Sequence, residues 1–308
     1  MNSKTLLYIV KRLLLAVLTV WVVITVTFFA TRAVPGGPFA SEKAITPAAK
    51  AALEAKYGLD KPVLEQYTTY LKDIVLHFDF GPSLKQRGRQ VIDVITDGLK
   101  TSAKLGVIAA FASLICGVVL GAIAALRRNK VIDRVIMVIT TAFVSMPSFI
   151  MGSLMLAFSI KLAILPANGS TTEGLILPVI TLALYPTAYI TRLTRSSMLD
   201  VLGQDYIRTA KAKGVPGKRI IFGHALKNSL IPVITYFGPM LAYIVTGSLV
   251  VEQIFAVPGI GRAFVNSIIN RDYPLIMGTT IVLAALIVIM NLVGDILYKV
   301  VDPRINLE

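Results

Sequence analysis

The side chains best suited to chemistry are few in this 308-residue chain: two histidines, His77 and His224, and a single cysteine, Cys116. A hydrolytic metal site needs several ligands at close spacing, as in HExxH, and no such string occurs. The two histidines fall in stretches expected on opposite faces of a membrane, so they cannot share an ion. A lone cysteine inside an apolar block builds neither a disulfide framework nor a Cys-rich metal centre. There is no GxSxG and no paired carboxylate in the apolar region. Gly214-Val-Pro-Gly217-Lys218-Arg219 offers glycines and cations, but it lacks the GxxxxGK spacing, the following Ser or Thr, and a preceding strand. The expectation is a protein that is not an enzyme and holds no cofactor or metal. Any ATP would be handled by another polypeptide.

The elements around these residues are apolar. Hydrophobic residues make up 55% of the chain and charged ones 16%, against about 25% charged in soluble domains. The mean hydropathy is +0.74. A spanning helix takes roughly 20 mostly apolar residues, and six stretches meet or approach that: 13–30, 105–126, 135–160, 175–190, 230–251 and 275–298. The fold class expected is an all-α integral membrane protein with six transmembrane helices. Pro147 and Gly152 should bend the third span, because proline removes a helical hydrogen bond. The fourth is the shortest and contains Pro178 and Pro186. Lys4, Lys11 and Arg12 ahead of the first block resemble a signal peptide. The 18-residue run and the Pro-Gly-Gly-Pro that follows soon after it favour a retained span. Gly117-Val-Val-Leu-Gly121 is a GxxxG pattern, read as packing within the chain rather than a contact between chains.

The formal charge of +14 would suggest nucleic acid in a soluble chain. Here it follows the positive-inside rule, and no nucleic acid is expected. Seventeen of the 31 Lys and Arg fall in 1–12, 127–134, 192–229 and 299–308. Apart from the long segment 31–104, the opposite side has only Lys161, Arg262 and Arg271. Both termini are therefore expected in the cytoplasm. Segment 31–104 would lie outside as a small helical cap. Thr46-Pro47 reads as a helix start and Gly58 as its stop. A second helix from about Pro62 to Phe78 places Val63, Tyr67, Leu71, Ile74 and Phe78 on one side. Gly81-Pro82 ends it, and the amphipathic stretch Val91, Ile95, Leu99 leads into the second span. Inside the spans ionisable residues are nearly absent, Asp295 being the nearest. That counts against an ion-coupled secondary transporter, although coupling through the carbonyls of broken helices keeps that class open.

The segment 192–229 carries a quarter of the basic residues, with small residues among them. Asp205 can cap a helix running through Tyr206, Arg208, Ala210 and Lys213. Gly214 would end it, and Pro216 suits the first turn of the next helix. The result is a helix–Gly–helix elbow. It could be a docking surface for a partner protein or a basic loop lying against lipid headgroups.

Tyr206–Gly214 (YIRTAKAKG) and His224–Pro232 (HALKNSLIP) resemble the EAA loop in permease subunits of bacterial ATP-binding-cassette importers, in its peptide-permease form. AVPGGPF (33–39), YGLDKPVLEQY (57–67), FDFGPSLK (78–85), SAKLG (102–106), the run 246–275 and DILYKVVDPRI (295–305) extend the resemblance over nearly the whole chain. Arg208 stands where the general pattern has an acidic residue, and Gly37 where many relatives carry Asp.

The resemblance implies a type I importer permease fold. It divides the chain into an N-terminal helix with an external region (1–95), a permease core (96–302, coupling loop at about 200–230) and a cytoplasmic tail (303–308). It implies a bacterial inner-membrane subunit that translocates oligopeptides. Its partners would be a second, homologous permease subunit, two ABC ATPase subunits, an extracytoplasmic peptide-binding protein, the peptide substrate and membrane lipid. Dipeptides, nickel chelates or glutathione are alternative cargoes. Contact with the ATPase would fall on Tyr206, Arg208, Thr209, Ala210, Lys213, Gly214 and His224. Pro186, Tyr236, Phe237 and Tyr243 are candidates for the pathway. Glu252, Pro258, Gly259 and Gly261 are candidates for binding-protein contact. A membrane scaffold or sensor using the same elbow remains the rival without transport.

Overall fold

The computed structural model describes residues 3–39, 47–163, 165–166 and 168–301, without the side chains of 3–10, 47, 49, 50 and 294–301. The tail 303–308 and Thr46 lie outside the described residues, as does the side chain of Asp295. Thirteen helices run along the described chain: α1 (Ser3–Ala33), α2 (Pro47–Lys56), α3 (Val63–His77), α4 (Val91–Leu126), α5 (Val131–Ser145), α6 (Ser148–Leu162), α7 (Ile176–Leu202), α8 (Asp205–Ala212), α9 (Gly217–Ser229), α10 (Ile231–Val245), α11 (Leu249–Ile254), α12 (Ile260–Ile269) and α13 (Tyr273–Val301). Among the described residues the β-type pairing is one isolated bridge, Pro82 to Gln90. Four stretches are apolar and long enough to cross a bilayer unbroken: Lys11–Ala33, Val91–Leu126, Glu173–Leu202 and Tyr273–Val293. Two bent pairs, α5 with α6 and α9 with α10, raise the number to as many as six if each pair is one span.

Each break has a local cause. The third expected span folds back by 109° between α5 and α6. Pro147 excludes the helical conformation from the residue before it, and Met146 is extended at φ −86°, ψ 130°. The fifth ends at Val245 rather than Val251, because Gly247 takes φ +98° and Ser248 starts α11, its hydroxyl accepting from Val251 N at 3.3 Å. The fourth is longer than expected. Residues 176–202 form one helix through a buried Pro186. Its C-terminal part carries Arg192 and Arg195, charges that mark the end of a span when only hydropathy is read.

The chain forms two compact units. The first comprises 1–101 and 258–288, the second 102–257 and 289–308. In the first, Ile24 and Phe28 of α1, Ile74 of α3, Val91 and Ile95 of α4, Ile260 of α12 and Met277 and Ile281 of α13 make one core. Tyr67 and Leu71 pack against it, whereas Val63 and Phe78 are exposed, so the apolar side expected of α3 is buried only in its middle. Gly58 (φ +65°) closes α2, with Leu59 N donating to Glu54 O at 2.8 Å. Asp272 is buried and holds the loop between α3 and α4. It accepts from Ser83 Oγ and from Leu84 N at 3.1 Å, and its side chain also caps the start of α13 at Leu275 N.

In the second unit α7 is the common neighbour of α5, α6, α9 and α10. Its approach to α4 is set by the GxxxG pair. A Cβ on Gly121 would lie 2.6 Å from both Thr191 O and Thr194 Cβ, and one on Gly117 2.7 Å from Ile190. Both glycines pack against α7 inside this unit, as their spacing suggested. Gly121→Val should therefore destabilise the protein by about 1–3 kcal/mol through overpacking. Gly223→Ala, whose Cβ would meet only Arg219 Cγ at an ordinary contact distance of 3.8 Å, should change little. Thermal unfolding of the two variants in detergent would check this, and equal melting points would show that α4 and α7 do not meet at Gly121.

Candidate functional site

The elbow of the second unit is built by three local devices. Helix α8 begins one residue earlier than the capping reading required: Gln204 is the N-cap and Asp205 the first helical residue. Asp205 makes no side-chain cap, and its carboxylate lies 3.5 Å from the Arg208 guanidinium, both strongly exposed. The helix ends in a Schellman turn, with Gly214 N donating to Lys211 O at 3.0 Å and Val215 N to Ala210 O at 3.1 Å. That turn needs a left-handed residue, and Gly214 has φ +75°. Pro216 then sits as the N-cap of α9. Within α9, Ile220–Leu226 widens into a π-helical turn that includes half-buried His224. Such turns are rare and often occur at functional positions.

Two contacts anchor this elbow. Ile207 is fully buried, the one buried residue of α8. The Tyr206 hydroxyl accepts from Asn228 Nδ2 at 2.9 Å, tying α8 to the end of α9. Thr209 donates to Asp205 O at 3.0 Å, and Ala210 is half-buried. The outward surface is Arg208, Thr209, Lys211, Lys213 and Gly214, all exposed. A Cβ on Gly214 would meet nothing within 4 Å. The arrangement is a short, rigid, basic protrusion with little side-chain bulk at its tip. It suits contact with an acidic or polar surface and offers no chemistry of its own.

A charged clasp, not foreseen in the sequence, lies on the same helical framework. Asp133 of α5 is buried and accepts from Arg195 Nε at 2.6 Å and Nη2 at 2.8 Å. It also accepts from Asn129 N at 2.8 Å. One α-helical turn earlier on α7, Arg192 Nη2 donates to Thr141 Oγ1 at 2.7 Å. The bidentate pair joins α7 to α5.

The pathway candidates fall in the second unit. Pro186 is buried in α7. Tyr236 of α10 stacks on Tyr189 of α7 with centroids 4.3 Å apart, and Phe237 meets Phe111 edge-on at 5.5 Å. Tyr243 is 75% exposed. The binding-protein candidates are divided. Glu252 is fully buried and accepts from Ser102 Oγ at 2.7 Å and Ser248 N at 3.1 Å, so its carboxylate is an internal tie. Gly259 and Gly261 are buried, and Pro258 alone of the four is exposed. Gly259 and Ile260 lie against Gly98, where a Cβ would be 2.9 Å from Ile260 N. Asp133, Ile207, Asn228, Ser102 and Asp272 escaped the sequence reading. A lone acid at the start of an apolar block, such as Asp133, was the available signal for the first.

A helical membrane protein with a basic elbow between its spans is the architecture of a transporter's membrane subunit. The chain belongs to the family described as binding-protein-dependent transport system inner membrane component, matched over residues 117–307, with its N-terminal companion matched over 5–106. It is 46% identical to the dipeptide transport system permease protein DppB of Bacillus subtilis (strain 168) over 303 residues, covering 98% of each chain. It is 44% identical to the oligopeptide transport system permease protein OppB of Salmonella typhimurium, covering 97% of this chain and 99% of that one. Among solved structures, a chain of the MetNI methionine ABC transporter superposes with a TM-score of 0.53 at 16% identity, covering 68% of this chain and 97% of that one. A chain of an amino acid ABC transporter gives 0.53 at 17%, covering 70% and 95%. The fold is that of an ABC importer permease, as the motifs at 206–214 and 224–232 implied.

Removing one member of the clasp should cost more than removing both. Asp133→Ala leaves a guanidinium facing a cavity and should lower stability by about 3 kcal/mol. Asp133→Leu combined with Arg195→Met should recover most of that loss. Melting points of the single and double variants in detergent check this; a double variant no better than the single would show that the charges are independent.

Proposed function

We propose that the chain is the membrane permease subunit of an ATP-driven, binding-protein-dependent importer of short peptides, with both termini in the cytoplasm. The carrying observation is the elbow: a basic, small-residue tip on α8, anchored by Ile207 and by Tyr206–Asn228. The likeness to both dipeptide and oligopeptide permeases supports peptides as cargo. Lys and Arg in 1–12, 127–134 and 192–229 support the cytoplasmic side for the elbow. Two ABC ATPase subunits would dock there, a second and homologous permease subunit would complete the pathway, and an extracytoplasmic peptide-binding protein would deliver cargo. ATP would be hydrolysed by the separate ATPase subunits.

The mechanism follows from rigidity. Force applied to Arg208–Gly214 cannot be absorbed by α8, a helix closed at one end by a Schellman turn and anchored through Ile207. It passes to α9 through Tyr206–Asn228, and from α9 to α7, its packing neighbour. The Arg195–Asp133 clasp then carries it to α5. Tyr189–Tyr236 and Phe111–Phe237, where α7, α10 and α4 meet, are the side-chain layers that would rearrange, with Pro186 supplying a weak point in α7. Peptides of varied charge favour a pathway walled by aromatic and neutral groups. Contact with the binding protein would use the external segment and Pro258. The N-terminal region 1–95, the core 96–302 and the tail 303–308 are the corresponding functional parts.

The test is uptake of labelled peptide in vesicles containing the assembled transporter. Gly214→Glu should reduce uptake about tenfold while ATP hydrolysis continues, since 1–2 kcal/mol of left-handed strain disfavours the elbow by roughly that factor. Gly214→Asn, which tolerates that conformation, should retain uptake. Normal uptake in Gly214→Glu would remove the elbow from the mechanism. Uptake that persists without the ATPases, driven by a proton gradient, would overturn the importer reading itself.

A further inference from the structure

A cavity of about 270 Å³ opens in the first unit, among α1, α3, the 79–84 loop and the start of α13. Three of its lining residues stand out. The Arg32 guanidinium is largely buried, lies 3.7 Å from the centroid of the Phe28 ring, and has no carboxylate partner among the described residues. It donates from Nε and Nη2 to Gln66 Oε1 at 3.3 and 3.2 Å and from Nη1 to Thr31 Oγ1 at 3.2 Å. A guanidinium has five N–H donors, so two are left over. Tyr70 and Tyr273 line the same cavity, and the hydroxyl of each is buried with no hydrogen-bond partner among the described residues. Buried polar groups are nearly always satisfied, and two such phenols beside a guanidinium that makes no ion pair among the described residues are suited to receive an anion.

We propose that this cavity binds a phosphate group, supplied by the headgroup of a membrane phospholipid. The shape and position favour that source. Arg32 lies at the end of the span Lys11–Ala33, and Tyr273 opens the span Tyr273–Val293, so the cavity sits at the level of the headgroups, where tyrosines concentrate in membrane proteins. Below it on α1, Val26 and Phe29 are exposed apolar side chains along which acyl chains would lie. The volume is many times the roughly 10–15 Å³ that one water needs on this measure, enough for a phosphate with a short substituent. The rim also carries Asp73 and Asp79; Asp79 accepts from Gly81 N at 2.8 Å and Asp73 lies 3.9 Å from His77 Nδ1. These carboxylates suit an ammonium attached to the phosphate, so phosphatidylethanolamine is the headgroup that fits. Arginine with phosphate is a strong, frequently bidentate pairing, and the two phenols would add donors to the remaining oxygens.

The experiment uses the full chain in detergent, stripped of lipid, then titrated with short-chain phosphatidylethanolamine or with inorganic phosphate. Binding is read by native mass spectrometry and by the melting point, neither of which depends on transport or on cargo. The lipid should remain bound and raise the melting point. Tyr70→Phe and Tyr273→Phe each remove a hydroxyl with no protein partner. They should leave the lipid-free melting point unchanged or higher, yet require about tenfold more lipid, the scale of one hydrogen bond to a charged group. Arg32→Gln should abolish the response. A matching shift with inorganic phosphate and no retained lipid would assign the site to a free oxyanion and overturn the lipid source. Identical lipid responses in the wild type and the three variants would overturn the site, as would a lower lipid-free melting point in both phenylalanine variants.

Discussion

The structure depends on a solvent that tolerates neither an unpaired charge nor an unpaired peptide group. Several departures from a plain apolar helix are accordingly settled on the spot. Asp133 and Arg195 neutralise one another through two hydrogen bonds. Glu252 is enclosed with Ser102 and Ser248 N as donors, and Asp272 is enclosed with Ser83 Oγ and Leu84 N. Where helices stop, a proline, a left-handed glycine or a serine cap satisfies the backbone: Pro147, Gly214, Gly247 with Ser248. These three buried carboxylates are therefore joints. They mark where the chain changes direction and where one helix is held to another.

This explains which parts of the fold the sequence disclosed. Hydropathy found all six apolar blocks, because a run of about 20 apolar residues has few other uses. GxxxG at 117–121 was readable as a contact because close approach needs missing side chains, and α7 does come within Cβ distance of both glycines. What hydropathy could not see was compensation. Arg192 and Arg195 look like the end of a span until Thr141 and Asp133, 51 and 62 residues away, are placed beside them. Glu252 looked presentable to a partner, since a charge in a loop-like string normally faces water. Its burial rests on Ser102, 150 residues earlier. Pairing between distant residues has no periodic signature in one chain.

The elbow was legible for the opposite reason: its determinants are local. A Schellman turn is written in four or five consecutive residues, and Gly214 at the end of YIRTAKAKG announced it. The error of one residue at Asp205 is of the size that capping chemistry leaves, because Asp serves nearly as well in the first turn, through the helix dipole, as at the cap. The anchor was the part that local reading missed. Ile207 and Tyr206–Asn228 need α9 in place before they mean anything. They separate a rigid protrusion from a solvated basic loop.

Rigidity in the elbow and looseness in the apolar walls are complementary requirements of a protein that must move. A lever works only if the piece that receives force is stiffer than the piece that yields. Stiffness here comes from directional bonds at the basic end: the Schellman turn, the tyrosine–asparagine bond and the bidentate clasp. The contacts Tyr189–Tyr236 and Phe111–Phe237 are aromatic, and under the proposed mechanism they would tolerate sliding and retilting at small cost because their energy varies gently with geometry. Proline in the middle of α7 lowers bending stiffness where those aromatics lie. Under the proposed mechanism, the gradient from hydrogen-bonded to dispersive contacts along one helix bundle would serve as a mechanical device. It would let a displacement at residues 205–214 appear as rearrangement at 186–189 and 236–237 while the α5–α7 joint stays closed.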